Sequence, residues 1–509
     1  MEKLKNKNKV NNKKNIIVWL DFDAYSYINF GVITELIKLD DFDFIGIVTT
    51  KQDMNFFQNQ KIIPFKKLIY YPDCYINKST FDLKKLKEFE KDFRLNLWSD
   101  IFTERSFYKY WTDFHHFTKE EIFIIIEKSI TFFIDILQTY EPKMILTQYI
   151  GENISNLLLY RIAKKMNIKI IMPVPMFIHN RILISEDIVG EEITNEFKKI
   201  IGSFEDLSQN FTEDYVKKEN LSQTIKIQES FNPNIAGLNQ KINHYIKRLF
   251  ENPEEIYKNV GKSKFKILKY RFQLNFKIKK RKKFLDSNSI KSVEDNNFIL
   301  FPMQSEPEAK VLTISSNYSN QITLIENIAK TIPINTILYV KEHPIQKVKS
   351  WRSIEDYKKI ISIPNVKLVH PNVSIEKLIS KSRGVILISG GTGFEALFYK
   401  KPVILFSDEI YEELSMVTKI SSFDKLHNDI NNAINNYKFN NNELNALMKI
   451  INEKTIVIPY FSMMKDGVTL SAIQRHKQDF NITLKQFHKY YETYKKYFEL
   501  YAKTIYLKL

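Results

Sequence analysis

Short apolar runs alternate with amphipathic stretches along much of the chain. In the second half, residues 336–340, 365–369 and 385–388 are short runs rich in β-branched and other apolar residues, as in buried parallel strands. A helical pattern at 375–379 separates two of these runs, and another strand pattern follows at 402–406. Strands that alternate with helices in this way predict an α/β fold with a parallel sheet.

The first half shows the same alternation. Strand patterns occur at 16–20, 44–48, 144–147 and 168–172, and amphipathic helices are predicted at 120–137 and 154–166. The chain has 509 residues, 44% of them hydrophobic, which is enough for two ordinary cores and too much for one. We therefore predict two Rossmann-like domains that face a central cleft.

Changes in the pattern suggest the domain boundaries. The N-terminal Rossmann-like domain is predicted at 1–184, followed at 185–294 by a polar helical connector rich in Asn, Lys and Glu. The second Rossmann-like domain is predicted at 295–475. Residues 476–509 are dense in Tyr, Lys and Phe and predict one amphipathic helix, which either packs back onto the first domain or binds a partner.

Polar residues follow two of the predicted strands in the second half. Ligands of open α/β sheets bind at the carboxyl ends of the strands, so both groups are expected to face one crevice. The group after residues 336–340 contains Lys341, His343 and Pro344. The group after residues 385–388 is a glycine-rich turn made of Ser389, Gly390, Gly391, Thr392 and Gly393.

The glycine-rich turn is predicted to lead into a helix that begins near Phe394. Free amides at a helix N-terminus favour phosphate, and Ser389 and Thr392 add hydroxyl donors. We expect His343 to donate to a phosphate oxygen and Glu395 to accept hydrogen bonds from ribose hydroxyls. Each motif alone is also typical of an ordinary packed turn, so the prediction of a nucleotide-sugar pocket depends on their order and spacing.

Five segments of the second half, at 301–309, 318–321, 339–344, 364–366 and 389–397, carry a resemblance to a known family. They resemble the capsule-polysaccharide-synthesis proteins, which are GT-B-type glycosyltransferases related to the β-Kdo transferases. This resemblance implies a GT-B-like fold, and it implies that His343, Ser389 and Thr392 hold the nucleotide phosphate of the donor. Gln304 and Glu306 lie in the first of these segments and are expected to contact donor or acceptor.

Acceptor-side candidates follow strands of the first half. Sugar transfer needs a carboxylate that deprotonates the acceptor hydroxyl or attacks the anomeric carbon, and Asp21, Asp23 and Glu152 are predicted to supply it. Arg181, near His179, is a candidate for binding an anionic group. Helix capping, loop solvation and structural hydrogen bonds remain alternative roles for all of these residues.

The charge is strongly positive, with a formal net charge of +17 and a pI of about 9.3. Much of the excess lies at 3–14 and at 262–283, where bases alternate with apolar residues. The second segment suits an anionic membrane surface, and a solvated linker is the alternative. We expect no nucleic-acid partner.

The cysteine content and the lengths of the apolar runs predict the compartment in which the protein works. Cys74 is the single cysteine, which excludes a disulfide framework and indicates a reducing compartment. No apolar run reaches the ~20 residues that span a bilayer, and the N-terminus lacks the apolar core of a signal peptide. We expect a cytoplasmic protein, peripheral on the inner face of the membrane if the basic segments bind lipid. No histidine spacing suggests a metal site, so neither metal nor cofactor is predicted.

The predicted function is transfer of a sugar from a nucleotide donor to a capsular or lipopolysaccharide glycan. The first choice of donor is a CMP-activated acidic sugar such as Kdo. A nucleotide-sugar 2-epimerase is one alternative, because it shares the glycine turn and the following Glu. A non-catalytic basic protein that binds a membrane or nucleic acid is the other.

Overall fold

The computed structural model describes residues 14–509, except for residues 22–23, 111–112, 152, 177, 179, 202–254, 294–296, 348 and 478–479. Asp23, Glu152 and His179 lie outside the described residues, as does nearly all of the basic run at 3–14.

The strands occur in two groups along the chain. Their bounds are β1 (Lys14–Leu20), β2 (Phe42–Val48), β3 (Phe65–Tyr70), β4 (Met144–Leu146), β5 (Lys169–Pro175), β6 (Arg181–Ser185), β7 (Phe298–Pro302), β8 (Ile337–Lys341), β9 (Val366–Val369), β10 (Gly384–Leu387), β11 (Val403–Leu405), β12 (Val417–Lys419) and β13 (Thr455–Val457).

Helices alternate with these strands. Their bounds are α1 (Ala24–Leu36), α2 (Lys51–Asn59), α3 (Leu83–Phe93), α4 (Leu97–Ile101), α5 (Lys119–Tyr140), α6 (Ile154–Lys165), α7 (Glu191–Ile200), α8 (Lys264–Asn288), α9 (Ala309–Thr313), α10 (Gln321–Thr331), α11 (Ile354–Ile361), α12 (Ile375–Lys381), α13 (Gly391–Phe398), α14 (Leu426–Asn435), α15 (Asn441–Lys454), α16 (Tyr460–Lys477) and α17 (Phe480–Tyr506).

The described strands form two sheets. The first has the order β13-β6-β5-β4-β1-β2-β3, in which the strands from β5 to β3 are parallel to one another and β6 and β13 pair antiparallel. The second has the order β12-β11-β10-β7-β8-β9 and is parallel throughout. The predicted α/β class with two Rossmann-like domains is confirmed. No helix in the described part of the chain is both long and apolar enough to cross a bilayer.

The chain returns to the first sheet near its end. Strand β13 pairs with β6, and the helices α16 and α17 both pack against α1, of which nearly every residue is buried. The chain thus leaves the second sheet before the predicted boundary at 475. The pairing of β13 with β6 joins residues that are far apart in sequence, which a local pattern does not reveal.

One apolar core cluster contains residues of both halves. Met172 and Leu183 of the first sheet belong to it together with Leu300, Tyr339 and Leu387 of the second. The two halves are therefore packed against each other, and the carboxyl ends of the second sheet's strands are held by this core.

Candidate functional site

The candidate donor site lies at the carboxyl edge of the second sheet. Strand β7 lies between β8 and β10, so the ends of β8 and β10 are about 10 Å apart for a strand spacing of ~4.8 Å. His343 follows β8, Ser389 follows β10, and Gln304 follows β7 between them. The structure thus brings the predicted candidates of the second half to one edge.

Gln304 connects the loops at this edge. Its Nε2 donates to the carbonyl of Ser389 (2.5 Å), and its own carbonyl accepts from the Arg352 guanidinium and from Gln321 Nε2 (3.1 Å). Its backbone N–H donates to Gln321 Oε1 (2.8 Å). The Gln304 side chain and backbone are therefore part of the frame of the site, which limits their freedom to contact a ligand.

The glycine-rich turn is fixed by hydrogen bonds to both backbone groups of Gly390. Gly390 has a φ of +109°, its N–H donates to Glu409 Oε1 (2.6 Å), and its carbonyl accepts from the Tyr411 hydroxyl (2.7 Å). A Cβ on Gly393 would lie 2.5 Å from the Tyr411 hydroxyl oxygen. Both positions therefore need glycine, one for its backbone conformation and the other for close packing.

Helix α13 begins at Gly391 and not near Phe394, so that prediction is wrong by about one turn. In this turn a positive φ occurs at Gly390 alone, and Gly391 and Gly393 adopt helical backbone. The amides of the first turn have no acceptor within the helix, and no side chain caps them. Half-buried Thr392 lies in this first turn.

Two buried oxygens at this helix lack a hydrogen-bond partner among the described residues. They are Oγ of Ser389, which is 1% exposed, and Oε1 of Glu395, which is 5% exposed. An unsatisfied buried polar atom costs about 1–3 kcal/mol, so such atoms require a reason. A phosphate near the helix start and a hydroxyl near Glu395 would satisfy them.

Burial and, to a smaller extent, the nearby carboxylate of Glu376 together raise the pKa of Glu395 to about 7. The carboxyl group is thus half-protonated near neutral pH when the site is empty. A hydroxyl that donates a hydrogen bond to it would favour the ionised form.

Because the folded protein holds this proton more tightly than the unfolded chain does, Glu395 stabilises the fold most below the usual Glu pKa of about 4.3. We expect that contribution, up to about 3 kcal/mol, to be lost as the pH rises from about 4.5 to 7. Urea unfolding of the wild type and of Glu395→Gln at a series of pH values measures it. Their difference should change over this window, whereas Glu326→Gln, at an exposed pair with Lys330, should give a constant difference. A pH-independent difference for Glu395→Gln would contradict the shifted pKa.

His343 is placed as a neutral donor. Its Nδ1 accepts from the backbone N–H of Ile345 (3.1 Å), which leaves the proton on Nε2. Burial lowers the pKa of His343 to about 3, and the neighbouring cations Lys341, Lys349 and Arg352 contribute to this. The ring therefore stays uncharged at neutral pH, in surroundings that favour an anion.

A second His-Pro pair follows the neighbouring strand β9. Nδ1 of His370 also accepts from the backbone N–H two residues on, that of Asn372 (3.2 Å). Its Nε2, however, contacts Oδ1 of Asp286 on helix α8 (3.0 Å). The same local turn is thus used for packing after β9, which makes His370 a matched reference for His343.

Lys341 and Pro344 have structural contacts at this edge. Buried Lys341 donates from Nζ to the carbonyl of Pro371 (2.9 Å), toward the end of β9, and burial lowers its pKa to about 8. Pro344 begins the 3₁₀ turn Pro344–Lys347. For Lys341 to contact a substrate in the crevice, its side chain would have to leave this backbone partner.

A buried ion-pair network supports the site, and the sequence patterns did not identify it. Arg352 pairs with Glu342 through Nε (3.0 Å) and with Glu306 through Nη1 (2.8 Å), and the Tyr357 hydroxyl donates to Glu342 (2.8 Å). Burial lowers the pKa of Arg352, but the two carboxylates outweigh burial and raise it overall. Predicted substrate ligand Glu306 is thus paired with Arg352 and also accepts from Gln321 (2.7 Å). Its carboxylate therefore helps to hold the loops of the site in place.

Asp21 lies at the carboxyl edge of the first sheet, where it is almost fully buried. Its carboxylate accepts from Thr49 Oγ1 (2.8 Å), Gln148 Nε2 (2.6 Å) and Asn153 Nδ2 (2.9 Å). These donors come from the segments after β2, after β4 and before α6. Asp21 therefore connects these three segments at the sheet edge, whether or not it also takes part in catalysis.

Arg181 is not brought to the second sheet's edge. Its guanidinium donates to Thr455 Oγ1 (3.0 Å), at the point where β13 joins β6. In the described part of the chain, no three His, Cys, Asp or Glu side chains converge as metal ligands. A cavity of ≈ 420 Å³ lies elsewhere, between residues 75–78, helix α5 and residues 255–262.

The chain is similar in arrangement to several solved structures, at low identity. KpsC β-Kdo 2,7 transferase of Thermosulfurimonas dismutans has 14% identity and a TM-score of 0.31, covering 76% of this chain and 96% of its own. A β-Kdo 2,4 transferase of the same KpsC has 11% identity and a TM-score of 0.32, covering 60% and 79%. UDP-GlcNAc 2-epimerase of Methanocaldococcus jannaschii has 16% identity and a TM-score of 0.24, covering 86% and 99%.

The candidate donor site lies within a region that matches a family model. No curated protein matches the chain. A family model described as capsule polysaccharide biosynthesis protein matches residues 192–433, which include His343, Ser389 and Glu395. The resemblance predicted from the sequence is confirmed over these residues, which make up slightly less than half of the chain.

Proposed function

We propose that this chain is a glycosyltransferase that moves a sugar from a nucleotide donor to a growing capsular or lipopolysaccharide glycan. The observation that carries the proposal is the pair of unpartnered buried oxygens, on Ser389 and Glu395, at the start of helix α13. They share a sheet edge with His343, and all three lie in the family region. Our choice of donor is a CMP-activated acidic sugar such as Kdo.

Each part of the donor would have a partner at this edge. The first-turn amides of α13 and the Ser389 hydroxyl would bind phosphate oxygens, and Thr392 could add its hydroxyl. The Nε2–H of His343 would donate to the phosphate that leaves with the nucleotide. Glu395 would accept from ribose hydroxyls. These donors would supply the charge stabilisation without a metal ion, which is our proposal for this enzyme.

In the transfer step, the bond between the anomeric carbon and the phosphate oxygen breaks, and a new bond forms to the acceptor oxygen. The acceptor proton passes to a carboxylate of the first domain, for which Asp21, Asp23 and Glu152 remain our candidates. Asp21 would have to exchange one of the donors named above for the acceptor hydroxyl. We place this reaction at the cytoplasmic side of the membrane.

Calorimetric titration of CMP, UDP, GDP and inorganic phosphate into the wild type and Glu395→Gln tests the pocket. We expect CMP to bind most tightly, and Glu395→Gln to weaken CMP by about tenfold or more while leaving phosphate binding unchanged. Glu326→Gln, on the exposed face of α10, is the control and should bind like the wild type.

Incubation with CMP-Kdo and acceptor glycan then tests the reaction. Release of CMP that depends on the acceptor supports the transferase. Failure of all the nucleotides to bind would end the proposal, and conversion of UDP-GlcNAc without an acceptor would identify an epimerase instead.

A further inference from the structure

Helix α8 (Lys264–Asn288) is the most basic element of the described chain, with ten Lys and Arg residues and one acidic residue, Asp286. Bases alternate with apolar residues along its sequence. In the helix, the apolar residues separate into two stripes on opposite faces.

The inner stripe fixes the helix to both halves of the protein. Near its start, the ring of Tyr270 contacts that of Phe114 of the first half, with centroids 5.0 Å apart. Toward its end, Leu285 is buried in the core of the second sheet, and Arg281 donates to the carbonyl of Ser350 (3.0 Å). Helix α8 is therefore a rigid part of the surface.

The outer stripe consists of Phe265, Leu268, Phe272 and Phe276. These residues are three or four positions apart, so they lie on one face of the helix. Phe265 is 86% exposed and Phe272 is 80% exposed, and Phe276 and Leu268 are exposed by 60% and 46%. Exposed Lys279, Lys280 and Lys283 continue the same face toward the helix end.

Several large apolar side chains on one exposed helix face indicate an interaction surface for a protein or a membrane. A second copy of this face is disfavoured, because each copy would bring the same positive charge. An anionic lipid surface matches both properties of the stripe: phenyl and leucyl groups enter the interface while lysines pair with phosphate groups.

We propose that the outer face of helix α8 docks on anionic lipid, with Phe265, Leu268, Phe272 and Phe276 inserted between the headgroups. Because the helix contacts both halves, docking would hold the sheet edge of the donor site at a fixed orientation to the membrane. This proposal does not rest on the proposed transferase activity, since it concerns a different surface.

A fluorescent label at the stripe tests the insertion directly. Burial raises the pKa of the single cysteine, half-buried Cys74, to about 12, so it reacts poorly with thiol reagents at neutral pH. A Phe272→Cys variant can therefore be labelled selectively with an environment-sensitive dye. Ile334→Cys is the matched control, because Ile334 is an apolar residue that is 104% exposed in the turn before β8, outside the stripe.

With vesicles of phosphatidylcholine and phosphatidylglycerol, we expect the dye at 272 to shift to the blue and to be quenched by brominated lipid, and the dye at 334 to be unaffected. In co-sedimentation, Phe272→Ser with Phe276→Ser should bind at least tenfold more weakly. Lys279→Glu with Lys283→Glu should also weaken binding, by about fivefold or more per base, and Ile334→Ser should bind like the wild type.

Three results would overturn the proposal. The first is equal binding to phosphatidylcholine alone and to the anionic vesicles. The second is a dimer in sedimentation analysis that the Phe272→Ser and Phe276→Ser changes dissociate, which would make the stripe an interface between copies. The third is a large loss of unfolding free energy in the same variant, which would show that the chain itself covers the stripe.

Discussion

Replacement of His343 by alanine is expected to weaken nucleotide binding by about ten- to a hundredfold. A hydrogen bond to a charged group contributes about 1.5–3 kcal/mol, and His343 presents Nε2–H as a fixed donor at the edge of the second sheet. Because its pKa is lowered to about 3, the ring stays neutral in the empty site, and affinity should show no step near pH 6.5 that depends on this residue. Calorimetric titration of CMP into the folded variant measures the loss.

His370→Ala is the control for this prediction. It removes a histidine from the same His-Pro turn one strand further along, where Nε2 is already engaged with Asp286. It should leave nucleotide affinity unchanged. Equal affinity of wild type and His343→Ala, or equal losses in the two variants, would show that the His-Pro turn after β8 has a packing role only.

Arg352→Leu is expected to lower the free energy of unfolding by about 3–5 kcal/mol, because it leaves the carboxylate of Glu342 buried without its cation. Chemical denaturation monitored by fluorescence measures this change. The double variant Arg352→Leu with Glu342→Gln should recover part of the loss, since it removes the unpaired charge. Lys330→Leu removes the cation of an exposed pair and should cost less than about 1 kcal/mol.

A loss below about 1 kcal/mol for Arg352→Leu would show that water reaches Glu342 and that the network is not a rigid support. A loss that the double variant does not reduce would assign the cost to the packing of Arg352 and not to its charge. Either result would show that the ion pairs of Arg352 are not what supports the site.

The sequence predicted the strands well where they are continuous apolar runs. The run at 385–388 corresponds to β10 (Gly384–Leu387), and the run at 336–340 to β8 (Ile337–Lys341). Strands with continuous apolar runs are buried on both faces, between two layers of helices. The pattern therefore predicts that they lie inside a parallel sheet. Short β13 (Thr455–Val457) also lies in a β-branched run, Thr-Ile-Val-Ile, but a run this short does not show which strand it pairs with, and its partner β6 is far away in sequence.

The candidate residues could be found from sequence, but their roles could not. The position of His343 and Ser389 after strands was sufficient to place both at one edge. Nothing in the sequence shows that Lys341 turns to the carbonyl of Pro371, or that Glu306 pairs with Arg352. These contacts depend on loops whose geometry is set by residues distant in the chain.

Helix α8 illustrates the same limit in another form. Its apolar residues form two stripes, and each of them satisfies the periodicity of a buried helix face. Only the contacts of Leu285 and Tyr270 show which stripe is buried and which is exposed.

The return of the chain to the first sheet has a consequence for protein synthesis. Strand β6 is made long before its partner β13, and the helices that cover α1 come later still. At about 5–20 residues per second, the ribosome needs roughly 15–50 s to extend the chain from one strand to the other. During that time the nascent first domain exposes an unpaired strand edge and the apolar surface of α1, both of which favour aggregation. The first sheet is thus completed only after the strands of the second have been made. Its edge at β6 and the apolar surface of α1 stay uncovered until β13, α16 and α17 have been synthesised.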